Sequence, residues 1–221
     1  MVVVIIALGA MLTDPGIGRR ETPMRVRCAQ RIRMLMAALE QYRTRHGDLP
    51  PGMGDSMADP EEAARVSWRV WILPDLDMQR LFDEYDLTED WDSPTNSSLE
   101  AYSNRAFCCP ALCADRANSY TSYFALKRSR EADLPRPPGR DANQVTNAIL
   151  LIEVDRLAVH WMEPRDLDVE QFLQLWKERW TSPLSPHDGG THVVLMNGDI
   201  RFLSYETTVD ELMTMLPGGY E

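Results

Sequence analysis

In the stretch Pro186-His187-Asp188-Gly189-Gly190-Thr191-His192-Val193-Val194-Leu195-Met196-Asn197-Gly198-Asp199-Ile200-Arg201-Phe202-Leu203, two apolar runs flank Asn197-Gly198. Asn-Gly between alternating runs is the strongest short-range hairpin signal, because a type I′ turn needs positive φ at both central residues. Pairing outward from a two-residue turn sets Met196 opposite Asp199, Leu195 opposite Ile200, Val194 opposite Arg201 and Val193 opposite Phe202. One face is then Val193, Leu195, Ile200 and Phe202. The other, expected to face solvent, carries His192, Val194, Met196, Asp199 and Arg201.

Upstream, Thr146–Val154 is apolar on both faces and reads as a central strand, with Val159–Met162 as a partner. Ala106–Cys109 and Ser119–Ala125 also look extended. Residues 168–179 form an amphipathic helix through Val169, Phe172, Leu173 and Trp176. Thr208-Val209-Asp210-Glu211 is a capping box opening a last short helix. Near the N-terminus, Cys28, Ile32, Leu35, Leu39 and Tyr42 make one apolar stripe on a helix over 23–46, with Pro23 in its first turn. Short helices are expected after Ser67, over 76–85 and after Ser93, while Lys127–Ala142, with three prolines, reads as a surface loop. The fold class expected is α+β, an N-terminal helix packed on an antiparallel sheet with extra short helices and a C-terminal hairpin.

The 221 residues suffice for one substantial domain, assigned to 23–221. A net charge of −11 argues against nucleic acid as a partner. The charge is uneven: eight Arg fall within 19–45 against Glu21 and Glu40, so the helix is basic and the rest acidic. Residues 2–12 are an uninterrupted apolar run, about half the ~20 residues a membrane-spanning helix needs. Residues 1–22 therefore read as a truncated hydrophobic anchor followed by a basic linker. Under the positive-inside rule the arginines favour the cytoplasmic side.

No catalytic constellation emerges. The four cysteines, Cys28, Cys108, Cys109 and Cys113, lack the second Cys/His pair that zinc-site spacing requires, so neither metal nor cofactor is expected. Buried free thiols are favoured, with a disulfide of Cys108 or Cys109 to Cys113 as the alternative. His187 is expected to anchor the Asp188-Gly189-Gly190 turn and His192 to be a surface strand residue. Glu163, Pro164, Arg165 and Asp166 read as an ion-paired turn rather than as catalytic carboxylates, and the tryptophans as core. Asn96-Ser97-Ser98 matches a glycosylation sequon, a motif too short to carry weight.

Several blocks in order carry a resemblance. They are Arg27-Cys28-Ala29-Gln30 with His46-Gly47 and Leu49-Pro50-Pro51-Gly52; Ser67-Trp68-Arg69-Val70; Trp91-Asp92-Ser93-Pro94; Cys109-Pro110; Asn118-Ser119-Tyr120; the Thr146–Glu153 strand; and Trp161-Met162-Glu163-Pro164-Arg165-Asp166-Leu167. His187, nine residues, then Asn197-Gly198 close the series. The chain resembles the planctomycete prepilin-type family of unknown function with the H-x9-D-G motif, with Asn197 in place of the motif's Asp. The resemblance implies a type IV pilin-like or pseudopilin-like, non-enzymatic protein of the cell envelope. Like subunits would pack against its N-terminal helix. Residues 1–12 would anchor it in the inner membrane, with an extracytoplasmic head. The alternatives are an envelope polysaccharide- or protein-binding module and a metal-dependent hydrolase centred on His187.

Overall fold

A computed structural model describes residues 15–53, 60–101, 105–113, 119–127 and 147–217 of the chain. The apolar run 2–12 and most of the proline-rich loop 127–142 lie outside them. Among the described residues no helix is long and apolar enough to cross a membrane.

The expected α+β class is observed. Helix α1 spans Pro15–His46, starting eight residues before Pro23, which therefore stands inside it. Short helices α2 (Pro60–Arg65), α3 (Trp68–Trp71), α4 (Gln79–Glu84) and α5 (Pro94–Ser97) follow. The sheet is built from β1 (Tyr123–Lys127), β2 (Ile149–Glu153), β3 (Leu167–Asp168), β4 (Gly190–Leu195) and β5 (Ile200–Ser204), in the order β3-β1-β2-β4-β5. Helix α6 (Val169–Lys177) follows β3 and α7 (Val209–Met213) closes the chain, each opened by a capping box, from Asp168 and Thr208.

Three details of the elements differ from the sequence reading, apart from the hairpin register. The sheet is mixed, because β3 joins β1 in parallel. Val159–Met162 does not join β2: Thr121 donates to the Val159 carbonyl and Trp161 to the Ser119 carbonyl, so it lies beside the approach to β1. The expected strand at Ala106–Cys109 is instead a 3-10 turn over Arg105–Phe107.

The sheet has a core on each face. The expected α1 stripe is buried, Cys28, Ile32, Leu35 and Leu39 at 0–2% exposure and Tyr42 at 7%, and with Ala38 it packs with Trp68, Val70, Phe107, Tyr123, Ala125, Leu151, Trp161 and Val194. Each such aliphatic side chain contributes about 1.5–3 kcal/mol on removal from water. On the other face Phe172 and Trp176 of α6 meet Phe124, Ile152, Val193, Leu195 and Leu203.

The hairpin corrects the expected register. Val194 stands opposite Ile200, Val193 opposite Arg201 and His192 opposite Phe202. The Leu195 amide donates to the Asp199 carbonyl and the Gly198 amide to the Leu195 carbonyl, leaving Met196-Asn197-Gly198 as a three-residue loop. Only Gly198 in that loop has positive φ, +87°, as in a type I turn closed by a glycine bulge. The extra loop residue moves β5 by one position. Phe202 thereby changes face and joins His192 beneath α1.

Candidate functional site

Glu153 ends β2 on the α1 side of the sheet, opposite Tyr123 of β1. It is 1% exposed, the charged end of an otherwise apolar strand. Burying such a charge without partners is costly. Its partners come from three other segments. His187 Nε2 lies 3.4 Å from Glu153 Oε1, both side chains fully buried. His192 Nδ1 lies 2.7 Å from Glu153 Oε2. Cys109 Sγ stands 3.8 Å from His187 Nε2, and Cys28 Sγ 2.8 Å from Cys109 Sγ.

Local structure explains each placement. Cys28 is the first buried residue of the α1 stripe. Cys109 follows the 3-10 turn and is held by its own amide donating to Ser122 Oγ at 3.1 Å. His187 lies in a loop whose Leu184 and Ser185 amides donate to the Tyr205 hydroxyl, while Ser185 Oγ donates to the Gly190 carbonyl at 2.8 Å. Gly189 turns that loop with φ +75°. Gly190 has no room for a side chain, since an added Cβ would lie 2.6 Å from Phe202 Cε1 and collide with the Leu203 carbonyl. Above this corner the Arg25 guanidinium stacks on Phe202, 4.2 Å from the ring centre, and donates to the Asp188 carbonyl.

The electrostatics are strongly coupled. The Cys28 thiol is pulled down to about 6 by its hydrogen bond with Cys109, against its burial. Cys109 is pushed the other way by Cys28 and by burial. Burial lowers His187, but hydrogen bonds with Cys28 and Glu153 win and raise it to about 10. Burial likewise raises Glu153, yet the hydrogen bonds from His187 and His192 bring it to about 2. The atoms Cys28 Sγ, Cys109 Sγ, His187 Nε2 and a Glu153 carboxylate oxygen all lie within 4.8 Å of one another. Chemically the group can share protons, form a Cys28–Cys109 disulfide, or hold a metal ion.

Of the residues expected from sequence, His187 enters this cluster, and Gly189 and Gly190 shape its loop. His192, expected at the surface, is 5% exposed and bound to Glu153, because α1 covers the face of β4 that it shares with Val194. Asn197 and Gly198 occupy the hairpin tip. Cys113 pairs with Cys108, not Cys109, since Cys109 is turned inward to Cys28. Cys28 and Glu153 were not expected. Glu153, the one charge in an otherwise apolar strand, was the signal available for it.

The Trp68, Arg69, Trp161, Glu163, Pro164, Arg165 and Asp166 blocks converge elsewhere. Arg69 pairs with Asp166 at 2.8 Å, side chains 0% and 2% exposed. Asp166 Oδ1 also accepts from Trp68 Nε1 at 3.1 Å and the Ala125 amide at 2.8 Å. Arg69 donates to the Tyr123 carbonyl at 2.7 Å and Ser67 Oγ at 2.9 Å. Glu163 pairs with Arg165 at 2.8 Å as a turn after Pro164 would allow. Trp68 and Trp161 are buried, and Trp71 is half-buried against Phe82. Asn96 is also buried, accepting from the Asp86 amide and donating to the Asp86 and Asp90 carbonyls, so the sequon is a structural knot. An open groove of about 590 Å³, lined by Phe124, Arg156, Asp166, Leu167 and Gln171 among others, lies on the α6 side, away from the cysteine cluster.

The family described as "Protein of unknown function (DUF1559)" matches residues 19–149, a span that includes Cys28 and Cys109. No curated protein and no solved structure matches the chain.

Proposed function

The chain belongs to that family of unknown function, and we propose that it is a non-enzymatic, pilin-like or pseudopilin-like component of the cell envelope that assembles through α1. The observation that carries the reading is the two-sidedness of this 32-residue helix. One stripe is fastened into the sheet, and the opposite side presents Val26 and Met34 at 50% and 39% exposure among arginines. Large apolar side chains on an outward helix face suit packing against a second helix. A head held rigidly at the C-terminal half of a long helix is the division of labour a pilin subunit needs. The spacing of His187 from Asn197-Gly198, close to the H-x9-D-G pattern, points the same way. So does the Cys108–Cys113 disulfide, which suits an oxidising compartment outside the cytoplasm. Residues 1–12 would supply the apolar part of the anchor next to the basic linker.

The test places a photo-crosslinking amino acid at Val26 or at Met34 in the full chain, co-produced in two differently tagged copies. Adducts joining the two tags are expected. Monomer alone at both positions overturns assembly through α1. Recovery of the chain entirely in the soluble fraction after cell breakage overturns the anchor.

A further inference from the structure

We infer that Cys28, Cys109, His187 and Glu153 form a structural binding site for one zinc-class divalent cation, which fastens α1 to the sheet. Two thiolates, an imidazole and a carboxylate are the donor set of a tetrahedral zinc site. Ligand bonds of zinc length place neighbouring donor atoms about 3.3–3.8 Å apart around a tetrahedron. His187 Nε2 to Glu153 Oε1 is 3.4 Å, and Cys109 Sγ to His187 Nε2 is 3.8 Å. Those two edges need no adjustment. The sulfur pair, at 2.8 Å, opens by about 1 Å on coordination.

A Cys28–Cys109 disulfide is the competing outcome, and the two further donors gathered beside the sulfurs favour the metal. Glu153 Oε1 is fully buried, with His187 Nε2 at 3.4 Å as its near partner. The carboxylate, the imidazole and the two sulfurs form one group of donors within 4.8 Å of one another. A disulfide would leave Glu153 Oε1 with the His187 imidazole alone, whereas a metal ion takes the carboxylate, the imidazole and both sulfurs together as ligands. The other oxygen, Oε2, is held by His192, and Thr191 Oγ1 donates to the Glu153 carbonyl at 2.6 Å, the outer contacts that orient a ligating carboxylate.

All four side chains come from the protein and are buried, so no coordination position is left for substrate. A closed site of this kind is structural rather than catalytic. Coordination moves no electrons. The thiol protons and any proton on His187 Nε2 pass to solvent as the metal binds. The ion joins α1, the segment after the 3-10 turn, β2 and the loop before β4, residues far apart in sequence whose closure costs the most chain entropy. The inference is independent of assembly through α1, because a monomer would carry the same site.

The test is metal analysis of the full chain purified without chelator, by inductively coupled plasma mass spectrometry, followed by non-reducing peptide mapping. About one zinc per chain is expected, with Cys28 and Cys109 alkylatable only after chelation. Glu153→Gln and Cys109→Ser should lower retained zinc at least tenfold. Should either variant fail to fold, the wild-type chain stripped by chelator and titrated with Co²⁺ serves instead. Thiolate-to-cobalt charge-transfer absorption saturating near one equivalent is then expected. A Cys28–Cys109 disulfide in the mapped protein, or free thiols with no bound metal and no cobalt spectrum, overturns the site.

Discussion

His192 Nδ1 and Glu153 Oε2 stand 2.7 Å apart on adjacent strands, His192 on β4 and Glu153 on β2, both beneath α1. The contact leaves Glu153 Oε1 directed at His187 and the two cysteines. His192 is thus a positioning residue for the carboxylate. Replacing such an outer partner typically weakens metal binding 10–100-fold without abolishing it. His192→Ala should therefore bind zinc with that loss of affinity in competition with a chelator of known strength, and still reach full occupancy at saturating metal. An unchanged affinity would show that Glu153 needs no such support.

The buried Arg69–Asp166 pair links the start of α3, β1 and the turn before β3. Removing one member of such a pair leaves the other charge buried and unpaired, a cost of about 3–5 kcal/mol. Asp166→Ala should lower stability by that amount in urea unfolding. The double variant Arg69→Met/Asp166→Leu should recover part of it. A single variant within ~1 kcal/mol of wild type would mean that water already reaches the pair.

Gly190 carries no positive φ, yet a methyl group there would meet the Phe202 ring at 2.6 Å and the Leu203 carbonyl. Overpacking of this kind costs about 1–3 kcal/mol. Gly190→Ala should destabilise the chain by about that much and disturb the His187 loop. Gly47→Ala would meet nothing within 4 Å, and its cost should come only from the left-handed φ of +81°. Thermal unfolding of the two variants compares a steric cost with a backbone one.

His160 stacks on Trp91 at a ring separation of 5.4 Å, and its Nδ1 accepts from the Met162 amide at 3.2 Å. Burial lowers its pKa from the ordinary 6.5, with Glu100 and Glu163 opposing the shift. The unfolded chain therefore takes up this proton first as pH falls. Stability from the neutral ring is complete above 6.5 and is lost as pH drops from there towards the folded value. His160→Phe should unfold with a shallower loss of stability between about pH 7.5 and 5.5 than wild type. Equal slopes would place the ring in water in both states.

The α1 stripe, the capping box at Thr208 and the hairpin were legible because each rests on local periodicity or turn chemistry. The metal cluster was not. Cys28, Cys109, Glu153 and His187 lie 81, 44 and 34 residues apart in succession, so no spacing rule joins them. Their meeting depends on α1 crossing the sheet and on the loop that brings His187 back over β2. The hairpin register was misread because Asn-Gly also fits the last two positions of a three-residue loop, with positive φ at Gly198 alone. That one loop residue decided whether Phe202 lay beside His192 beneath α1 or on the opposite face. The pairing of Cys108 rather than Cys109 with Cys113 was equally hidden, since both were local candidates and only the distant Cys28 separates them.

The most direct measurement of the central claim is zinc K-edge X-ray absorption on the purified full chain. Two sulfur scatterers at about 2.3 Å and two nitrogen or oxygen scatterers at about 2.0–2.2 Å are expected, as Cys28, Cys109, His187 and Glu153 would provide. A shell without sulfur, or with the octahedral oxygen coordination of a surface-bound ion, would contradict the account.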